Sequence, residues 1–283
     1  MVSLPVPGRI FFLIVRPPEM LYPTPMDLTR RQALAMAALL APGLAKAAAA
    51  EPDLEVPYVP TPPELVERML DLADVTAADY LIDLGCGDGR IAIAAARRGA
   101  RALGVDLDPA RIDQAVTAAS FASLGNRVRF RREDLFRTAI YEASVITLYL
   151  LPSVNLRLRP RLLTELRPGA RVVSHNFDMG DWRPEADERH EEGRVLMWTV
   201  PAIAGGSWAM TLADGAVTTL ELDQRFQDVT GTMTGGGRVL ELQNAVLRGK
   251  AFTFTAGGHG YAGMIEDAAM TGTDSAWRAT RIA

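Results

Sequence analysis

Hydrophobic and polar positions fall into distinct regimes along the 283-residue chain. Between residues 51 and 193, short apolar runs alternate with amphipathic stretches of helical period. The runs at 80–84, 102–106, 127–132, 143–149 and 171–174 are compact, rich in apolar and β-branched residues, and bounded by Gly, Pro or charge, which predicts strands. Apolar residues at helical spacing predict helices at 90–98, 109–123 and 156–166. A further helix is expected to open at Thr61-Pro62-Pro63-Glu64. Thr61 is its expected N-cap, proline is tolerated in its first turn, and Leu65, Met69, Leu70 and Leu72 form its buried stripe. The preceding Val56-Pro57-Tyr58-Val59-Pro60 is extended, because proline drives its predecessor out of the helical region. Alternation of strand and helix at these intervals predicts an α/β fold, a doubly wound Rossmann-like sheet.

Near Gly193 the helical period stops. Runs at 195–200, 208–212, 217–222, 239–242, 252–255 and 277–282 alternate with Gly-rich turns, which predicts antiparallel β structure. The first of these runs is a candidate to complete the α/β sheet. The rest forms a C-terminal antiparallel β appendage, so the domains are expected at 51–193 and 194–283. Trp208, Phe226, Phe252, Phe254 and Trp277 read as core, and His259, between two glycines, as a solvent-facing loop residue.

Residues 1–50 read as a targeting segment. Thr29-Arg30-Arg31-Gln32-Ala33-Leu34 precedes an Ala-rich apolar run, then Ala45-Lys46-Ala47 and the polar Glu51-Pro52-Asp53. That order is a twin-arginine n-region, an h-region and a small-residue cleavage site. The run falls short of the about 20 apolar residues a spanning helix needs, and Pro42-Gly43 interrupts it. Periplasmic export is therefore expected, with a cytoplasmic location as the alternative. Met26 offers an alternative start, with 1–25 as an upstream extension.

Removing that segment takes away five basic and two acidic residues and moves the net charge from −4 to −7. A net acidic surface argues against nucleic acid as partner. Arg127, Arg129, Arg131 and Arg132 cluster at period-two spacing, which reads as a strand with one solvated face. Cys86 is the single cysteine, so a thiolate-rich zinc site is excluded and no metal is expected.

Candidate chemistry collects where the first three strands end, the ligand edge of open α/β sheets. Leu84-Gly85-Cys86-Gly87-Asp88-Gly89-Arg90 joins the first strand to a helix, and Gly85 and Gly87 let a ligand approach the backbone. A dinucleotide fingerprint wants Gly or Ala where Arg90 stands. Asp83 and Asp88 also flank the turn, where they repel a pyrophosphate but suit a ligand carrying an ammonium and a sulfonium. Asp106 ends the second strand, where a carboxylate accepts both ribose hydroxyls. Asp134 follows the third, placed to accept from an adenine amino group while the backbone N–H of Leu135 serves a ring nitrogen. Glu133 beside it reads as a surface residue. Together these acids make S-adenosylmethionine (SAM) the expected cofactor and a methyltransferase the expected enzyme, with a nicotinamide enzyme disfavoured.

Residues 56–182 resemble the family of the mitochondrial ATP synthase c-subunit lysine methyltransferase and its bacterial relatives. The resemblance is carried by Tyr58-Val59-Pro60-Thr61, by Asp83-Leu84-Gly85-Cys86-Gly87-Asp88-Gly89-Arg90-Ile91, and by Gly104-Val105-Asp106-Leu107-Asp108-Pro109. More specific still are Thr147-Leu148-Tyr149-Leu150-Leu151-Pro152, Asn155-Leu156-Arg157-Leu158-Arg159-Pro160 and Val172-Val173-Ser174-His175. It implies a class I methyltransferase fold and transfer of methyl from SAM to a protein lysine. Cys86 stands where relatives often have Ser, and the β appendage and export signal depart from the mitochondrial enzymes. Those departures keep two alternatives open, a small-molecule acceptor and a non-catalytic SAM-binding exported module. Tyr149 ends the fourth strand, where class I enzymes place the acceptor-positioning residue; the alternative is a strand-end Tyr capping the core. Tyr58 is placed to close over the site. His175 is a candidate base near neutral pH or a structural hydrogen-bonding group. Asp178 and Asp181 are candidates to attract a cationic substrate.

Overall fold

The computed structural model describes residues 56–273 and 275–282, and the expected export segment at 1–50 lies outside them. Its α/β part runs α1 (Pro63–Leu72), β1 (Tyr80–Leu84), α2 (Arg90–Arg97), β2 (Arg101–Asp106), α3 (Pro109–Phe121), β3 (Val128–Arg132), β4 (Val145–Leu148), α4 (Pro152–Glu165), β5 (Arg171–His175), β6 (Ala186–His190) and β7 (Gly193–Thr199). The strands form one sheet in the order β3-β2-β1-β4-β5-β7-β6. β1 to β5 pair in parallel, and β7 runs antiparallel to both neighbours. β1 and β4 are buried along nearly their whole length, as parallel strands covered on both faces must be. The strand order reverses between β1 and β4, so the ligand crevice opens beyond their carboxyl ends.

Several expected boundaries shift for local reasons. Thr61 does not cap α1. Pro62 holds the cap position without a side-chain bond, and the buried Thr61 hydroxyl instead meets His175. α4 begins at Pro152 rather than at 156, because proline at the first helical position needs no N–H partner. β6 carries the sequence ADERH, a charged edge strand with no apolar alternation to reveal it. β3 is the opposite edge; Arg129, Arg131 and Arg132 are exposed beside buried Val128, and charge of this kind blunts edge pairing.

β7 belongs to the first sheet, so the second sheet starts at Gly206 rather than at 194. It comprises β8 (Gly206–Leu212), β9 (Val217–Arg225), β10 (Asp228–Gly235), β11 (Arg238–Glu241), β12 (Gln243–Arg248), β13 (Ala251–Ala256), β14 (His259–Glu266), β15 (Ala269–Gly272) and β16 (Trp277–Arg281). The order is β11-β10-β9-β8-β16-β15-β14-β13-β12, all antiparallel. Its two end strands are joined by Leu242 alone, whose N–H donates to Gly231 of β10, so the sheet curls into a near-barrel. Trp208, Phe252, Phe254 and Trp277 fill its interior. Phe226 does not: it turns outward and packs on the core of the first sheet. Among the described residues no helix is long and apolar enough to cross a membrane.

Candidate active site

A cavity opens beyond the carboxyl ends of β1, β2 and β4. Asp83, Gly85, Gly87, Asp88, Asp106, Asp134, Leu135, Tyr149 and Tyr58 all line it. The loop after β1 is folded by its glycines: Gly85 (φ +81°), Gly87 (φ +52°) and Gly89 (φ +80°) all sit in the left-handed region that other residues avoid. Its N–H groups then reach β2. Gly85 and Cys86 donate to the Val105 carbonyl at 2.9 Å, and Gly87 donates to Asp106 Oδ2 at 2.9 Å. Asp106 Oδ1 accepts from Asp108 N–H at 2.9 Å, so the carboxylate is fixed in orientation while each oxygen keeps a lone pair for a ligand.

Asp83 is the most unusual group. It is 2 % exposed. In the parallel register it faces Thr147 of β4, whose hydroxyl donates to Asp83 Oδ1 at 2.8 Å. Oδ2 is buried and has no partner. Burial pushes the carboxyl up to about 7, helped by the charges of Asp106 and Asp88 and opposed by the Thr147 bond. A buried, unsatisfied carboxylate oxygen is costly and calls for a cationic donor.

Asp88 behaves differently from expectation. Its carboxylate is taken by Arg90, with Nε at 2.9 Å and Nη2 at 2.6 Å, and Arg90 Nη1 also donates to the Thr61 carbonyl at 2.9 Å. Burial opposes ionisation, but Arg90 outweighs it and holds the Asp88 carboxyl below the usual carboxylate range. Asp88 therefore ties the loop to the 56–61 strap rather than offering a free charge. Tyr58 of that strap lies against Gly87, where a Cβ would come within 2.4 Å of its ring. The Arg111 guanidinium covers the ring, 3.7 Å from its centroid.

His175 is not at the mouth. It is 1 % exposed, and its Nδ1 meets Thr61 Oγ1 at 3.1 Å. Burial lowers it to about 4, which leaves the imidazole neutral and a weak base, and it does not line the cavity. It lies beneath Tyr149, ring centroids 3.8 Å apart, and so backs the cavity wall. Asp134 lines the cavity, with Oδ1 accepting from Phe136 N–H at 2.9 Å. Asp178 accepts from Gly180 N–H, Asp181 is held by Arg159 and Arg225, and neither lines the cavity.

Known proteins are similar to the part of the chain that builds this cavity. The ANTKMT methyltransferase domain matches residues 83–186. A protein-lysine N-methyltransferase of Saccharolobus islandicus is 42% identical over 142 residues, 50% of this chain and 88% of that protein. The chain belongs to the ANTKMT methyltransferase family. An ATP synthase c-subunit lysine N-methyltransferase of Xenopus laevis is 31% identical over 144 residues, 51% of this chain and 62% of that protein. A solved structure described as an RNA methyltransferase from Salinibacter ruber, in complex with S-adenosyl-L-homocysteine (SAH), is 52% identical with a TM-score of 0.50. The match covers 50% of this chain and 94% of that one.

This methyltransferase uses SAM, and the residues present fit it. The orphaned Asp83 oxygen suits an ammonium, the Asp106 carboxylate a diol, and the glycine loop leaves its backbone open to a ligand. Sequence reasoning missed Thr147, Thr61, Arg111, Phe136, Val154 and Arg157 as site residues, of which all but Thr147 line the cavity. Thr147 was accessible in principle, since the parallel register of β1 and β4 sets it beside Asp83. Thr61 and Phe136 stand beside expected site residues, while Arg111, Val154 and Arg157 come from the faces of α3 and α4.

Proposed function

We propose that this enzyme methylates the side-chain amine of lysine in a protein. The observation that carries the reading is the likeness to relatives named for lysine methylation, in a chain whose acid-floored cavity, with its unpartnered Asp83 oxygen, fits the methyl donor. The Salinibacter relative is described as acting on RNA. The acidic balance of the chain beyond residue 50 offers no phosphate footprint and supports a protein acceptor instead.

SAM supplies an electrophilic methyl group on a sulfonium, a leaving group that needs no protonation. The work left to the chain is binding, alignment and exclusion of water. Asp83 would hold the ammonium, Asp106 the ribose, and Asp134 with the Leu135 N–H the adenine edge. Tyr149, backed by neutral His175 and by Phe177 at 6.2 Å, forms a rigid wall for the incoming amine. Tyr58 and the 56–61 strap close the opposite side. A lysine amine attacks only after losing its proton. Among the described residues no histidine lines the cavity, and we propose that the proton leaves to solvent before the amine enters.

The test is incubation of the purified enzyme with methyl-tritiated SAM and bacterial protein extract, beside total RNA, followed by acid hydrolysis. Label in methyl-lysine supports the reading; label in RNA alone contradicts it. We further propose that residues 1–50 direct twin-arginine export to the periplasm, a reading supported by Arg30-Arg31, the apolar run and the small residues that follow.

A further inference from the structure

The near-barrel lends no described residue to the cavity, yet it is held firmly to the first sheet. The connection through Ala202 and Ala204 is not a swivel. Both are buried, Ala202 N–H donates to the Gly249 carbonyl at 2.8 Å, and the Gln224 side chain accepts from Ala204 and Gly205. At the β9–β10 turn stands Phe226, with φ +57°. That is a left-handed position where Gly or Asn is usual, and an aromatic residue stays there only when its surroundings hold it. Its ring stacks on Trp182 of the loop between β5 and β6, centroids 6.2 Å apart, and under the Arg159 guanidinium at 5.3 Å. On either side, Arg225 pairs with Asp181 at 2.5 Å and Asp228 with Arg183 at 2.9 Å.

What this turn grips is the 176–182 loop, and that loop holds α4. Asn155, fully buried, donates to the Phe177 and Asp178 carbonyls at 3.1 and 3.3 Å; Arg159 donates to the Met179 carbonyl at 2.7 Å. The other side of α4 presents Val154 and Arg157 to the cavity, and Phe177 stacks behind Tyr149. We propose that the near-barrel is a brace for the acceptor wall, with Phe226 as the positioning residue that wedges the 176–182 loop against α4. Calling that wall the acceptor side rests on the function proposed above; the mechanical coupling does not.

Hydrogen exchange followed by mass spectrometry on the full chain tests it. Phe226→Gly removes the ring while suiting the left-handed backbone, so the turn itself is favoured. The expected result is at least about tenfold faster exchange at 150–160 and 176–182, unchanged protection in β13 to β16, and restoration of wild-type protection by Phe226→Tyr. SAH affinity, set by the strand ends, stays within about twofold, so failure of the brace and failure of the cofactor reading show in different measurements. Wild-type protection at 150–160 in Phe226→Gly overturns the proposal. So does loss of protection throughout the near-barrel, which makes Phe226 a folding residue of that sheet only.

Discussion

Two buried titratable groups set the behaviour of the site with pH. Asp83, raised to about 7, is favoured in its protonated form by the free fold. Its contribution to stability is full below the unfolded carboxyl value of about 4 and is lost as pH rises through about 7. A ligand ammonium reverses that preference. SAH affinity measured by calorimetry should therefore rise from about pH 6 to about pH 8, with proton release visible in buffers of different ionisation enthalpy. Asp83→Asn should bind weakly and lose the slope; a slope that survives in Asp83→Asn contradicts the assignment. His175 has the opposite sign. Lowered to about 4, it contributes stability above its unfolded value near 6.5 that is lost as pH falls towards 4. Methyl transfer should show no histidine inflection near pH 6.5 and should climb on the alkaline side as the acceptor lysine loses its proton. A bell with its acid limb near 6.5 would restore a histidine base.

At the scale of elements, the strap and the glycine loop fit each other. Gly87→Ala adds a Cβ against the Tyr58 ring at a left-handed φ. It should cost roughly 1–3 kcal/mol in urea unfolding and weaken SAH by at least about tenfold. Thr61→Val removes the bond to His175 and should cost about 1 kcal/mol, with Thr61→Ser close to wild type. These elements also show how far the sequence could be read. Four of the five parallel strands were legible because burial on both faces leaves dense apolar runs, the edge strand β3 through the period-two spacing of its arginines, and the site acids because they sit where the strands end. The tie between Thr61 and His175, 114 residues apart, was not: it depends on how α1 packs over β5, which no local pattern encodes. β6 and much of the near-barrel were hidden because short strands rich in Thr, Gly or charge carry little apolar alternation in their sequence. Phe226 has the aromatic character of a core residue, but it is half-buried and packs against the core of the other sheet.

The whole molecule combines an acidic enzyme, a near-barrel brace and a proposed export segment. If Arg30-Arg31 directs folded export, replacing both with Lys should shift the protein from the periplasmic to the cytoplasmic fraction. An unchanged distribution removes the export proposal and leaves the enzyme intact. Export of the folded protein would carry SAM out with the enzyme, so retained SAM or SAH in the purified protein is a natural companion observation. Every role assigned to the site nonetheless depends on cofactor capture by acids at the ends of three adjacent strands. The most direct test is titration calorimetry of SAH with residues 51–283, wild type beside Asp106→Ala. Loss of two charge-assisted bonds worth about 1.5–3 kcal/mol each should weaken binding by roughly two to four orders of magnitude, with the fold retained by circular dichroism. Unchanged affinity in a folded Asp106→Ala protein would contradict the account.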